Sequence, residues 1–255
     1  MTDGMTAAIE IENLSSAYPD GTHVLDGVSL RIERGERVAL LGPNGAGKTS
    51  LALHLNGILG IGREGLRTGR VSVEGIEVST RTAAEVRRRV GMVFQDPDDQ
   101  LFMPRVRDDV SFGPANLGLR DEALDERVRD ALADVNMSDH IDRAPHRLSF
   151  GQKRRVAVAT VLAMKPDIIV LDEPSTGLDP SSRRELADVL ESLDLTILMI
   201  THDLPYAAEM CHRAVILDQG RVVADGPILD ILRDTELLHA HRLELPYGFS
   251  PPSAH

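Results

Sequence analysis

The segment LGPNGAGKTSL, residues 41–51, places a glycine-rich turn between an apolar, strand-like run and a helix-like run. Gly42, Gly47, Lys48 and Thr49 match the spacing G-x-x-x-x-G-K-[ST]. In such a loop, backbone N–H groups and a helix N-terminus converge on an anion. We expect Lys48 to lie on a surface loop, where it offers a compact positive charge to the β and γ phosphates, and the threonine hydroxyl offers an oxygen to Mg²⁺. The segment predicts a strand–loop–helix unit that binds a nucleotide, and the alternative is a tight turn without a ligand.

A pair of acidic residues follows the apolar run IIVL at residues 168–171. Asp172 and Glu173 therefore stand at the C-terminal end of a predicted buried strand, where open α/β sheets bind their ligands. We expect Asp172 to orient Mg²⁺ or its waters and Glu173 to polarise an attacking water. Neighbouring strand residues point to opposite sides, but a turn at the strand end lets both serve one site. The alternative is an exposed pair of strand-end acids.

Charge and composition narrow the possible partners and location. The chain has 255 residues and a formal net charge of −12, which disfavours nucleic acid as a partner. Its single cysteine, Cys211, fits a reducing compartment, and we expect it to be a small buried apolar residue. No run approaches the roughly 18 apolar residues of a membrane span, and the N-terminus lacks a signal-peptide pattern. We therefore expect a soluble, cytosolic chain whose membrane role requires a separate partner.

Hydrophobic periodicity predicts an alternation of strands and helices. The predicted strands are one that contains Ile9 and Ile11, a hairpin at 69–78, and strands at 28–32, 38–41, 90–94, 168–171, 195–200 and 214–218. The predicted helices are at 47–57, 121–135, 152–164, 181–193 and 204–210. Such an order implies a largely parallel sheet covered on both faces. Residues 100–149 interrupt the alternation, and we interpret them as an inserted helical lobe.

Five motifs resemble those of the ATP-binding subunits of ABC transporters. They are LGPNGAGKTSL, FQDPDDQLF, LSFGQKRRVAVA, VLDEPSTGLDP and MITHD, and the match covers about residues 7–233. The resemblance implies an α/β fold: a P-loop NTPase core of the ABC ATPase type with an antiparallel β subdomain and an inserted helical subdomain. It implies an ATPase domain at 7–235, with the helical subdomain at about 100–150, and a short C-terminal tail at 236–255. It also implies ATP and Mg²⁺ as the bound groups.

The same resemblance assigns roles to individual residues. The implied nucleotide-binding residues are Tyr18, Gly42, Pro43, Asn44, Gly45, Ala46, Gly47, Lys48, Thr49, Ser50, Gln95, Ser149, Gly151, Gln152 and Asp179. Glu173 and His202 are implied as catalytic residues, and Thr49, Gln95 and Asp172 as Mg²⁺ contacts. Tyr18 would stack on adenine and His202 would reach the γ-phosphate. Their alternatives are an ordinary loop aromatic and a structural histidine, and for Gln95 a polar cap at a strand end.

The signature LSFGQ departs from the commonest family form, which has glycine where Phe150 stands. We expect function to survive, because Gly151, whose backbone needs the close approach, is kept. The signature opens a helix and forms a second anion site, which in this family closes on the ATP of a second subunit. Lys153, Arg154 and Arg155 follow it as a local basic patch, and the alternative is a solvated helix face.

Four further motifs, FQDPDDQLF, DDVSFGPANLGL, VLAMKPDIIVLDEP and LELPYGF, resemble the ATPases of energy-coupling-factor and cobalt or nickel uptake systems. The resemblance implies a second ATPase subunit in a homodimer or heterodimer, an integral membrane coupling protein and a substrate-binding membrane protein. It places the chain at the cytoplasmic face of the membrane and leaves the substrate open among cobalt, nickel and vitamins. Alternatives are another transporter class, a non-transport ABC ATPase, and a scaffold that never hydrolyses ATP. His239 and His241 are expected to be solvated rather than metal ligands.

Overall fold

The computed structural model describes residues 7–61 and 66–251 and places their strands in two sheets. The larger sheet has the order β10-β9-β3-β8-β7-β6. Its strands are β3 (Arg37–Leu41), β6 (Val90–Val93), β7 (Ile168–Asp172), β8 (Thr196–Ile200), β9 (Arg213–Asp218) and β10 (Arg221–Pro227). Adjacent strands from β9 to β6 in this order pair in parallel, and β10 pairs antiparallel with β9 at the edge of the sheet. The largely parallel sheet predicted from the alternation is confirmed.

Both faces of this sheet are covered, which explains why β7 and β8 are buried along their whole length and, apart from Asp172 and Thr196, apolar. Ile169 and Leu171 face a core shared with the helical subdomain. Ile168 and Val170, alternate residues of the same strand, face a second core shared with the antiparallel sheet. The runs at 168–171 and 195–200 therefore show no alternation of apolar and polar residues, because both faces of each strand pack in a hydrophobic core.

The smaller sheet is antiparallel and has the order β2-β1-β4-β5. It comprises β1 (Ile9–Ala17), β2 (His23–Ile32), β4 (Arg67–Val73) and β5 (Ile76–Glu77). Ile9 and Ile11 are buried in one core, as their spacing predicts. This sheet carries the segment between β1 and β2 to the edge of the glycine-rich loop.

The helices divide between the sheet and an inserted subdomain. They are α1 (Lys48–Leu55), α2 (Ala83–Arg89), α3 (Val106–Asn116), α4 (Asp121–Asp134), α5 (Phe150–Leu162), α6 (Pro180–Glu191), α7 (Leu204–Met210), α8 (Ile228–Arg233) and α9 (Thr235–Ala240). α3 and α4 lie between β6 and α5 and pack on α5, so the helical lobe expected at 100–149 is present. No helix within residues 7–61 and 66–251 has the length and apolar character of a membrane span.

The C-terminal residues pack more closely than a tail would suggest. Leu238 and Leu243 are buried in the core on one face of the large sheet. Nδ1 of His241 lies 3.0 Å from Oδ2 of Asp218, so the expectation that both histidines are solvated is wrong for His241 and holds for His239. The division at residue 235 itself stays a prediction. Cys211 is buried and burial raises the pKa of its thiol to about 12, which confirms it as an inert core residue.

Candidate functional site

The glycine-rich loop follows β3 and leads into α1, as the strand–loop–helix pattern predicts. Gly42 and Gly47 both have positive φ, +146° and +102°. A Cβ at Gly42 would lie 2.0 Å from the carbonyl oxygen of Leu217, and one at Gly47 would lie 2.7 Å from that of Val24. No other residue fits these two positions without a shift of the backbone. The loop is therefore packed between β9 and β2 and leads directly into α1.

Lys48 is the first residue of α1, and its Nζ donates to the carbonyl oxygens of Gly42 (2.7 Å) and Pro43 (3.0 Å). Its side chain is buried, so the expectation that Lys48 lies on a surface loop is wrong. Burial lowers the pKa of its ammonium group, while the nearby charges of Glu173 and Asp172 raise it. The loop wraps around the lysine, which therefore also holds the loop in shape.

Thr49 and Asp172 meet across the site: the Thr49 hydroxyl donates to Oδ2 of Asp172 over 3.0 Å. Burial, with a contribution from Glu173, raises the pKa of the Asp172 carboxyl, and the Thr49 hydrogen bond opposes the shift. Mg²⁺ in nucleotide sites is held by one or two protein oxygens together with phosphate oxygens and water. This hydroxyl–carboxylate pair beside an anion-binding loop fits that ion. The fit rests on oxygen donors alone.

Glu173 turns away from the direction of β7 with φ +47°. Its N–H donates to the carbonyl of Ile200 over 2.8 Å, which fixes the turn. Its Oε1 lies 2.8 Å from Nδ1 of His202, and its Oε2 accepts from the hydroxyl of Thr201 over 3.2 Å. β7 pairs with β8 at Asp172 and Ile200, so the two strand ends bring these residues together. The turn places both acids in one cleft, as expected from the strand end.

The cleft has a volume of about 370 Å³ and lies between the two sheets at the ends of β3 and β7. The predicted residues that line it are Tyr18, Asn44, Gly45, Ala46, Gly47, Lys48, Thr49, Ser50, Gln95, Asp172 and Glu173. The Tyr18 hydroxyl lies 2.7 Å from the Ser50 hydroxyl, which holds the ring at the cleft wall. Gly42 and Pro43 contribute through the carbonyls that bind Lys48.

Four predicted residues lie away from this cleft, and His202, which is not part of its lining, contacts Glu173. Ser149 and Gln152 cap the N-terminus of α5: the Gln152 N–H donates to the Ser149 hydroxyl (3.2 Å), and the Ser149 N–H donates to the Gln152 side chain (3.0 Å). Gly151 is packed so closely that a Cβ would lie 2.4 Å from the Ser182 hydroxyl oxygen. Asp179 caps α6, and hydrogen bonds from Ser182 lower the pKa of its carboxyl. Ser149, Gly151 and Gln152 lie at the start of α5 and Asp179 at the start of α6, and neither helix start is part of the nucleotide cleft of the same chain.

The basic run after the signature is neither a patch nor a solvated face, so both sequence interpretations are wrong. Arg154 is fully buried, and Lys153 and Arg155 pair with Asp98 (2.6 Å) and Glu185 (2.9 Å). Lys153 and Arg154 are directed to the segment 94–98 and Arg155 to α6, because α5 packs against both. Charge in the sequence alone does not reveal this packing.

The sequence alone did not indicate several residues at the site. Thr22, His23 and Val24 line the cleft beside Tyr18, and the only available signal was their position after the SSAYPDG segment. Thr201 contacts Glu173 from the strand end before His202. Its place in the MITHD motif was the signal, but a lone threonine is too common to single out.

The family profile described as ABC transporter matches residues 25–176, more than half of the chain. The chain therefore belongs to the ABC transporter family, and it is the ATPase subunit of a transporter, with a domain that binds ATP, normally with Mg²⁺.

Three relatives show its position within the family. The chain is 62% identical over 247 residues to a Streptomyces coelicolor protein whose name marks it as an ABC transporter ATP-binding protein, covering 97% of this chain and 93% of that one. It is 47% identical over 243 residues to the energy-coupling factor transporter ATP-binding protein EcfA of Methanothermobacter thermautotrophicus, covering 93% and 76%. The solved structure of cbiO1 from Clostridium perfringens, part of the ABC transporter complex cbiONQ, matches with a TM-score of 0.81 at 37% identity, covering 94% and 96%.

Proposed function

We propose that this chain is the ATP-hydrolysing subunit of an energy-coupling-factor type importer and works by closing on a second ATPase subunit around ATP. The observation that carries the proposal is the meeting of Thr49, Asp172, Glu173 and His202 at adjoining strand ends beside the glycine-rich loop. The likeness to EcfA and to cbiO1 supports the importer branch. The transported substrate is proposed only as a class: cobalt or nickel ions, or a vitamin.

Different residues of the cleft have different roles in ATP binding and hydrolysis. Tyr18 would offer its ring to the base, the loop N–H groups and Lys48 would bind the phosphates, and Thr49 and Asp172 would hold Mg²⁺. When bound, Mg²⁺ would neutralise charge on the β and γ phosphates. Glu173 polarises the attacking water, and its bond to Nδ1 of His202 orients both side chains toward the γ-phosphate.

Head-to-tail pairing of two subunits follows from the two anion sites. Ser149 and Gly151 lie outside the chain's own cleft, at the start of α5, where helix N–H groups suit a phosphate. Asp179 caps the neighbouring helix α6 and would lie at the contact between the two subunits. In the proposed pair, each signature helix closes on the ATP held by the other subunit. Hydrolysis removes the γ-phosphate that distinguishes the closed state, so the pair opens again.

A contact surface for the membrane partner lies where the loop after Gln95 meets α3. Phe102 and Phe112 are exposed by 64% and 45%, and their rings pack edge to face with centroids 5.3 Å apart. Two exposed aromatic rings in contact form the kind of anchor that protein interfaces use. We propose that the membrane coupling protein docks here and that the chain acts at the cytoplasmic face of the membrane.

The proposal is tested with Glu173→Gln, which keeps the size and one acceptor oxygen of the side chain but removes its charge. ATP and Mg²⁺ should still bind, and hydrolysis should fall by roughly 10²–10⁴-fold, as expected for loss of a positioned acid–base group. Size-exclusion chromatography should then show a dimer with Mg-ATP and a monomer with ADP. Glu122→Gln, on the exposed first turn of α4, is the matched control and should behave as wild type. A Glu173→Gln chain that hydrolyses ATP at the wild-type rate, or stays monomeric with ATP, contradicts the proposal.

A further inference from the structure

Arg154, on the first turns of the signature helix α5, has no exposed surface. Its guanidinium donates to two consecutive backbone carbonyls, those of Phe94 (2.8 Å) and Gln95 (2.6 Å). Arginine is almost never fully buried without such partners, because burying its charge is costly. The partners here are the main chain of the segment that brings Gln95 to the nucleotide cleft.

The same guanidinium contacts the signature loop. Its central carbon lies 5.4 Å from the centroid of the Phe150 ring, within the range of a cation–π contact. The Phe150 ring also covers Gly177, where an added Cβ would lie 3.0 Å from the ring. A continuous chain of contacts therefore runs from the Gln95 segment through Arg154 and Phe150 to the loop between β7 and Asp179.

Two further bonds fasten the same loop along α5. The Lys153 ammonium pairs with Asp98 over 2.6 Å, and the Gln100 side chain donates to the Ala157 carbonyl over 2.9 Å. Lys153 and Asp98 are partly exposed, and such a pair adds little rigidity on its own. Arg154 is the buried member of the set and binds backbone rather than a side chain, so a shift of residues 94–95 must move α5 with it.

We propose that Arg154, supported by Phe150, is a positioning residue that couples the two half-sites carried by one chain. One half-site is the cleft in which Gln95 meets the chain's own nucleotide. The other is the signature end of α5, which in the proposed head-to-tail pair serves the second subunit's nucleotide. ATP in the first half-site therefore sets the position of the second before the two subunits close. Phe150 stands where the commonest signature has glycine, and its ring makes the cation–π contact with Arg154.

The test is hydrogen exchange on the full-length chain, with ATP and without it, at a concentration where the chain is monomeric. In wild type, ATP should slow exchange several-fold at residues 42–48, which touch the nucleotide, and also at 149–153, which do not. Arg154→Lys keeps the charge but cannot reach both carbonyls with a planar fork. It should keep the ATP effect at 42–48 and lose most of it at 149–153. Arg127→Lys is the control, because Arg127 donates to the Ala163 carbonyl over 2.9 Å away from the site, and it should keep both effects.

Phe150→Leu gives a second test that leaves Arg154 buried against its carbonyls and serves if Arg154→Lys does not fold. It should reduce the ATP effect at 149–153 and leave the effect at 42–48 unchanged. An ATP effect at 149–153 that is missing in wild type, or unaltered in these variants, overturns the inference.

The proposed coupling within one chain acts on catalysis only if two subunits pair as proposed. The coupling and the pairing are nevertheless tested by different measurements, so either can be wrong alone. A wild-type chain that transmits the ATP effect to 149–153 while Glu173→Gln never dimerises supports the coupling and contradicts the sandwich. If the Glu173→Gln chain dimerises but ATP does not slow hydrogen exchange at residues 149–153 of wild type, the result supports the head-to-tail dimer and overturns the coupling.

Discussion

Asp172 and Glu173 are neighbours in sequence, yet their carboxylates have different surroundings. Asp172 ends β7 and accepts a hydrogen bond from Thr49. Glu173 is held at φ +47° and faces His202 and Thr201. A non-glycine residue at positive φ stores strain on the order of 1–3 kcal/mol, which the fold offsets with bonds such as that from the Glu173 N–H to Ile200. In the proposed mechanism, Asp172 would serve the metal and Glu173 the attacking water.

Sequence reasoning found these residues because chemistry restricts which types can serve at a phosphate site. It placed both acids correctly at the end of a buried strand. It failed for Lys48 and Arg154, whose burial depends on backbone carbonyls that curve around them. Carbonyl positions depend on loop shape, and residue type does not encode them.

Asp172→Asn should separate stability from catalysis. Burial raises the folded-state pKa of Asp172 above its unfolded value, so the protonated form contributes stability that is lost as pH rises through the folded pKa. At neutral pH the ionised carboxyl therefore weakens the nucleotide-free chain. The asparagine variant removes that charge and keeps an oxygen for Thr49. Its Tm without nucleotide at pH 7 should equal or exceed that of wild type, and the difference should shrink toward acid pH.

Thermal melts across a pH series, with Mg-ATP and without it, check this prediction. Mg-ATP should raise the Tm of wild type and have little effect on the variant, whose hydrolysis should also fall. Asp194→Asn, an exposed acid at the other end of the sheet, should melt as wild type under all these conditions. An Asp172→Asn chain that is less stable than wild type at every pH would show that the buried charge is stabilising.

At the scale of elements, strong apolar patterns were predicted and weak ones were missed. β7 and β8 follow from short runs of branched apolar residues, and α4 from its single apolar stripe. The sequence of α3, VRDDVSFGPAN, mixes charges, glycine and proline, and it is helical because Val106 and Val110 pack into the core. β10 has no buried residue and is held by pairing with β9, so its periodicity carries little signal.

The loop 96–102 and α3 together form the surface proposed for the membrane partner, and Phe102→Ser tests it. The ring is exposed and lies outside the nucleotide cleft, so ATP hydrolysis by the isolated chain should be unchanged. Loss of an aromatic anchor should weaken binding to the membrane partner by roughly tenfold or more. Co-purification with the detergent-solubilised complex and transport in vesicles are the measurements. Tyr247→Ser, an exposed aromatic in the C-terminal segment, is the matched control. Normal transport by Phe102→Ser would place the contact elsewhere.

At the scale of the whole molecule, the two helix ends for which we propose phosphate binding lie apart in one chain. The glycine-rich loop opens into the cleft between the sheets, and the signature end of α5 lies outside that cleft, capped by its own Ser149 and Gln152. The sequence could indicate both ends but not their separation, which follows from the helical subdomain that carries the start of α5. The proposed pairing of two subunits would give each end a function.

Complementation between two inactive variants tests that arrangement. Lys48→Ala removes the phosphate-binding lysine from a chain's own cleft, and Ser149→Arg blocks the signature that it offers to its partner. Each variant alone should be inactive, because every dimer lacks an intact composite site. In a mixed dimer, the Ser149→Arg chain keeps its cleft and the Lys48→Ala chain keeps its signature, so one site is whole. Random pairing makes half of the dimers mixed, so the mixture should recover up to about a quarter of wild-type ATPase activity.

A chain carrying both changes, mixed with Lys48→Ala, has no intact site in any pairing and should stay inactive. If the first mixture is as inactive as its components, the signature serves its own chain and the head-to-tail arrangement is wrong.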